Sequence, residues 1–176
     1  IFITYFSRDV VDSSLRVSSS ILAQQQIQQT LQIMVPEIRS ASQSNDGSYP
    51  LLTATTSTLT FFSDIDQDGD FDRVRYFLNS TDFIKGVINP TGVPLTYVTS
   101  TEVFQTLVSN MIPSSQIFAY YGASATSSQS TPLQLPIDVL AVKTVEVTLV
   151  ANQGTSSTPS IVGVKNQATI RNLRYK

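Results

Sequence analysis

The sequence predicts an α+β protein in which a long N-terminal α-helix packs on an antiparallel β-sheet head. Three observations carry that expectation. A helical pattern of apolar and Gln residues runs from Ser7-Arg8-Asp9 to about Ser42. After the turn-forming cluster Ser44-Asn45-Asp46-Gly47-Ser48-Tyr49-Pro50, the chain reads as short strands separated by turns. No linker, repeat or second composition shift follows, so residues 1–43 are expected to form the helix and residues 44–176 one β-rich head.

The helical part opens on an apolar run, Ile1-Phe2-Ile3-Thr4-Tyr5-Phe6. That run is too short to cross a bilayer, which takes about 20 residues. It is expected to be the tail of a membrane helix whose front lies upstream, with a frayed, partly buried terminus as the plainer alternative. Farther on, Val10, Val11, Leu15, Ile21, Leu22, Ile27, Leu31, Met34, Val35 and Ile38 supply the apolar positions. From Ile27 to Ile38 their four-then-three spacing marks one buried helix face. Gln24, Gln25, Gln26, Gln28, Gln29 and Gln32 are good helix formers that make an uncharged outer face. Pro36 removes a backbone donor and is expected to bend the helix, after which Glu37-Ile38-Arg39 resume the period.

The head begins with Thr58–Phe62 and Val74–Leu78, two strand patterns around an Asp-Gly turn, a strong hairpin signal. Phe83–Ile88 reads as a third strand. Thr99–Glu102 has the form of a capping box and predicts a short helix or turn through about Asn110. Gln116–Tyr121 reads as a strand and is followed by a low-complexity loop, 122–131. Alternating apolar residues from Ile137 to Leu149 predict one long half-buried strand. A polar turn over 151–160 leads to a last strand, Ile161–Tyr175. Tyr120-Tyr121 and Phe61-Phe62 could form a ligand-stacking surface, but adjacent strand residues face opposite ways, so one of each pair is expected in the core.

Composition narrows the chemistry. A formal net charge of −2 offers no basic stripe for nucleic acid. With no Cys there is neither a disulfide framework nor thiolate chemistry. With no His, triad catalysis through imidazole and His-ligated zinc are both excluded. Only 14% of residues are charged, so the polar surface must come from Ser, Thr, Asn and Gln, as in many secreted and cell-surface proteins.

One constellation has chemical content: Asp64-Ile65-Asp66-Gln67-Asp68-Gly69-Asp70-Phe71-Asp72. Asp64, Asp66, Asp68, Asp70 and Asp72 are candidate calcium ligands, because a hard cation needs several oxygens at once and alternate Asp residues in a tight loop can supply them. The order follows the start of a calcium loop, with Gly69 at the sharp turn and the Asp70 carbonyl as a further ligand. Arg75 stands where a closing Glu would be needed, so the site must be incomplete or closed from elsewhere in the fold. The alternative is a polar hairpin tip kept soluble by its charges. Asn79-Ser80-Thr81 fits a glycosylation sequon and equally a strand-end turn.

In order along the chain, several segments together resemble the minor pilins of type IV pili and the minor pseudopilins of type II secretion, closest to the larger J-type class. They are Gln25-Gln26-Ile27-Gln28-Gln29-Thr30-Leu31, Glu37-Ile38-Arg39-Ser40-Ala41, Leu59-Thr60-Phe61-Phe62-Ser63-Asp64, Asp68-Gly69-Asp70 and Arg73-Val74-Arg75-Tyr76. Ile117-Phe118-Ala119-Tyr120-Tyr121, Val145-Glu146-Val147-Thr148-Leu149 and Ala168-Thr169-Ile170-Arg171-Asn172-Leu173 complete the set. The family's signature, a cleaved and methylated N-terminal segment, is absent. The resemblance implies a pilin-like fold and a structural subunit, not an enzyme. Such subunits sit in the bacterial inner membrane with an extracytoplasmic head and are trimmed by a prepilin peptidase. They pack helix to helix with other pilins or pseudopilins into a filament, minor members typically near its tip.

Three functions follow for testing. The first is a structural subunit working through the helix face around Ile21, Leu22, Ile27, Leu31 and Met34, with the same residues also candidates for the subunit's own core. The second is an extracellular binding module or adhesin that uses the loops at 122–131 and 151–160, with a calcium-stapled loop as an accessory. The third, a carboxylate-based hydrolase on the Asp cluster, suffers from the expected exposure of that tip.

Overall fold

The computed structural model describes residues 2–113, 116–122, 131–152 and 161–173, and within its helix the side chains from Ser20 onward. Helix α1 covers Phe2–Arg39 and is followed, among the described residues, by eight strands. Strands β1 (Leu51–Ala54), β2 (Thr58–Ser63), β3 (Asp72–Asn79), β4 (Asp82–Ile88) and β5 (Val103–Val108) form one antiparallel sheet in sequence order. Strands β6 (Phe118–Tyr121), β7 (Thr144–Asn152) and β8 (Ile161–Thr169) form a second antiparallel sheet, also in order.

This corrects the expected architecture of a long helix packed on a sheet. The fold is mostly β and has two sheets, and the helix's described packing is confined to the short stretch Ser20–Arg39. The reason is one of area. The buried positions of that stretch begin at Ala23 and end at Ile38, and a stripe of that length cannot cover eight strands. The two sheets instead share one core with it. Ile27, Leu31, Met34 and Ile38 meet Leu59, Phe61, Val74 and Tyr76 from the first sheet and Phe118, Val145, Val147 and Leu149 from the second.

A run of aromatic rings crosses that core. Phe61 lies 6.1 Å from Tyr76, Tyr76 5.9 Å from Phe83, Phe83 6.3 Å from Phe118, and Phe118 6.4 Å from Tyr120, so the contact passes from one sheet to the other. Backbone bonds close the seam. Phe118 N–H donates to Thr56 O at 3.0 Å, and Ile112 N–H donates to Val150 O at 3.0 Å.

Several local expectations change. β1 carries no alternation strong enough to read as a strand; it forms because β2 offers it an edge. The capping-box helix shrinks to a 3₁₀ turn at Thr99–Thr101 without a side-chain cap, and the following residues become β5. Val103, Phe104 and Thr106 favour a strand, and the free edge of β4 decides the matter. Glu102, expected to cap, reaches Arg75 instead. Residues 137–141 do not join the long strand. Asp138 accepts from Leu140 N–H and turns Val139–Ala141 into a 3₁₀ helix, so β7 begins only at Thr144. The last strand ends at Thr169, and Arg171–Leu173 form another 3₁₀ turn.

Both members of each aromatic pair are buried: Phe61 and Phe62, Tyr120 and Tyr121. Phe62 points to the outer face of its sheet as expected, but Tyr97 covers it with ring centroids 5.1 Å apart. These pairs therefore do not form an open stacking surface. The Asn79-Ser80-Thr81 segment is the tight β3–β4 turn, with Asn79 paired to Asp82 and Ser80 at a positive φ.

Candidate metal centre

The acidic loop spans the gap between β2, which ends at Ser63, and β3, which starts at Asp72. Gln67 and Gly69 take φ values of +64° and +96°, and this lets the chain double back within so few residues. A Cβ on Gly69 would meet nothing within 4 Å, so glycine is favoured there by conformation rather than by space.

The loop's carboxylates divide into two groups. Asp64, Asp66 and Asp68 each bring an oxygen to within 4.8 Å of the other two. For cation–oxygen bonds of about 2.4 Å, two ligands on opposite sides of an ion stand about 4.8 Å apart, so the three can hold one metal ion. Asp66 and Asp68 are exposed and Asp64 is half-buried. Asp64 Oδ2 accepts from Gly69 N–H at 3.2 Å, whereas its Oδ1 is buried without a hydrogen-bond partner among the described residues. An all-carboxylate set suits a hard cation, and a chain without His or Cys has no imidazole or thiolate to offer a softer one.

Asp70 and Asp72 lie outside this triad. Asp70 Oδ1 accepts from Asn45 Nδ2 at 2.8 Å, and Asn45 Oδ1 accepts from Phe71 N–H at 2.6 Å. Asp72 is buried, and its Oδ2 accepts from Ile65 N–H at 3.3 Å. Burial foremost, and then the charges of Asp66, Asp68 and Asp64, push its carboxyl up to about 6. Arg75 stays away from the loop, bound by both Nε and Nη2 to Glu102 at 2.8 Å.

Sequence reasoning missed the residues that brace the loop from outside. Asn45 sits in the turn after the helix, Asn89 Nδ2 approaches Asp66 Oδ2 at 3.5 Å, and the Tyr97 hydroxyl donates to Phe71 O at 2.6 Å. Asn45 was visible only as one member of a turn-forming cluster. Nothing in local spacing connects it with residues some 25 positions later.

A scan against protein-family models finds no match to the chain, and a search of curated proteins finds no match. Among the described residues, no helix is long and apolar enough to cross a membrane. The adhesin loops expected at 122–131 and 151–160 fall largely on residues 123–130 and 153–160, which lie outside the described residues, as do the side chains of Val10, Val11 and Leu15.

Proposed function

We propose that this chain is a structural subunit that joins other subunits through its helix, in a filament of the type IV pilus or type II secretion pseudopilus kind, near the tip. The carrying observation is the division of the helix's apolar residues. Ile27, Leu31 and Met34 are buried in the subunit's own core, while Ile21, Leu22 and Ile33 are 50%, 65% and 50% exposed, the first two side by side on the preceding turn. Two neighbouring apolar side chains left in solvent favour a contact with another helix. In this reading the chain has no catalytic role, the head faces the extracytoplasmic side, and other pilins or pseudopilins are its partners.

The acidic loop is assigned to calcium as a staple. The cation would draw Asp64, Asp66 and Asp68 together, with an affinity in the weak extracellular range of roughly 10⁻⁴–10⁻³ M. Water or neighbouring backbone oxygens must complete the coordination, because a triad is short of the six to eight oxygens calcium takes.

The test of assembly exploits the absence of Cys. A single Leu22→Cys substitution in the native cell permits thiol crosslinking at one known place. Crosslinked products containing another filament subunit, identified by mass spectrometry, support the proposal. A Leu22→Cys chain that crosslinks no more than a Cys placed at exposed Thr91 defeats it.

A further inference from the structure

We infer that the head carries a binding cleft for a carboxylated sugar, with Arg73 as its anion-binding group. This goes beyond the assembly reading and does not depend on it. A cavity of about 530 Å³ lies between the turn after the helix, the outer face of β2 and β3, and the segment ending at Tyr97. That volume is within the range of small-ligand sites and accommodates a disaccharide.

Arg73 is what sets this cleft apart. Three other strand cations have found carboxylates: Arg75 pairs with Glu102, Lys85 with Glu37 and Lys165 with Glu146. Arg73 is half-buried and lines the cavity, yet among the described residues it has no ion pair and no side-chain hydrogen bond. A guanidinium that has lost part of its hydration without gaining a partner retains a planar fork of donors suited to one carboxylate.

Asp46 lines the same cavity, and among the described residues it forms no ion pair with Arg73. Hydrogen bonds from the Ser44 hydroxyl and Ser48, the Ser44 bond foremost, hold its carboxyl below the ordinary range, so it stays anionic. Both charges line one cavity and are not paired with each other, so each is available to a ligand held in it. Asp46 opposes polyanions, and its Oδ2, which takes neither the Ser44 nor the Ser48 bond, is free to accept from a ligand hydroxyl. Ser48 and Thr96 add hydroxyl oxygens along the same wall, which matches the ring hydroxyls of a sugar.

The walls are already braced. Thr91 and Thr96 exchange backbone hydrogen bonds of 2.9 Å, and Tyr97 is held by its hydroxyl on Phe71 O and by its ring on Phe62. A cleft set in this way loses little entropy on binding.

The test titrates cellobiouronate, a disaccharide with one carboxylate, and separately its neutral methyl ester, into the full chain by calorimetry and by amide NMR. The expected result is affinity for the acid about tenfold or more above the ester, with shifts at Thr96 and Tyr97. Arg73→Gln should reduce binding of the acid to the level of the ester. Equal affinity for acid and ester, no saturation in the millimolar range, or an Arg73→Gln protein that binds unchanged would each overturn the inference. Preferential binding of alanylalanine would also overturn it, by assigning the two charges to a zwitterion. If Arg73→Gln does not fold, the acid–ester comparison on the unaltered chain decides.

Discussion

Glu37, in the last turn of the helix, accepts from Lys85 Nζ at 2.6 Å through one carboxylate oxygen; through the other it accepts from the Tyr76 hydroxyl, also at 2.6 Å. Both charged side chains are nearly out of solvent, at 10% and 13% exposure. The arrangement pins the helix end over β3 and β4 in one register, and burial, aided by Glu37, raises the Tyr76 hydroxyl well above its usual range.

Lys85→Met should therefore destabilise the protein by about 2–4 kcal/mol, because Glu37, nearly out of solvent, loses its cation. Lys85→Met combined with Glu37→Gln should lose less than the two single changes added together. Urea unfolding of the four proteins measures this. Additive losses would show that the pair does not act as a unit.

Gly86 permits a second ion pair on the opposite face. A Cβ at this position would overlap Glu102 Oε1 and stand 3.0 Å from Glu102 Cδ. Gly86→Ala should displace Glu102 from Arg75 and lower stability by about 1 kcal/mol, a small loss because Arg75 is partly exposed. In an Glu102→Ala background the same substitution should be close to neutral. A full loss in that background would place the strain in the backbone rather than in the ion pair.

Asp72 makes stability depend on pH. Its folded pKa of about 6 lies above the usual 3.8, so the folded state holds the proton more tightly than the unfolded chain. That contribution is complete below pH 3.8 and is lost as pH rises through 6. Asp72→Asn should remove the fall in stability between these pH values when no divalent cation is present. The substitution leaves an acceptor for Ile65 N–H. Chemical denaturation at a series of pH values in chelator provides the measurement, and an unchanged profile would relocate the titration to another group.

The triad should change the sign of a mutation's effect. In chelator, Asp66→Asn removes a charge facing Asp64 and Asp68 and should raise the melting temperature slightly. In millimolar calcium the same variant should melt below the unaltered chain, which gains by ligand binding. Absence of a crossover, together with flat calcium calorimetry, would leave the loop as a polar turn.

Ile27 and Leu22 test the division of the helix. Ile27→Asp places a carboxylate in the core and should prevent stable folding, at a loss of about 4 kcal/mol or more. Leu22→Asp should change the stability of the head by about 0.5 kcal/mol or less, yet block assembly. Filaments that form normally with Leu22→Asp would remove the proposed helix contact.

Much of the local organisation was legible because it rests on short-range rules. The Asp-Gly turn sets two strands side by side, and the Ile27–Ile38 spacing marks the buried helix face. The clustering of Asp64, Asp66 and Asp68 also belongs to the loop itself. Glu102 shows where such rules stop. Its spacing from Thr99 suits a helix cap, yet β4 provides a strand edge and Arg75 a counter-ion, and both lie far away in sequence.

By itself, the sequence determined the helix stripe, the β2–β3–β4 order, the acidic loop and the absence of imidazole and thiol chemistry, since each depends on neighbours or on composition. Tertiary structure alone decided the split into two sheets, the partnership of Glu37 with Lys85 and the bracing of the acidic loop by Asn45. It also brought Arg73 and Asp46 to one cleft without pairing them. These outcomes depend on which distant surfaces remain unburied or unpaired after the local elements have formed, and no spacing along the chain encodes that directly.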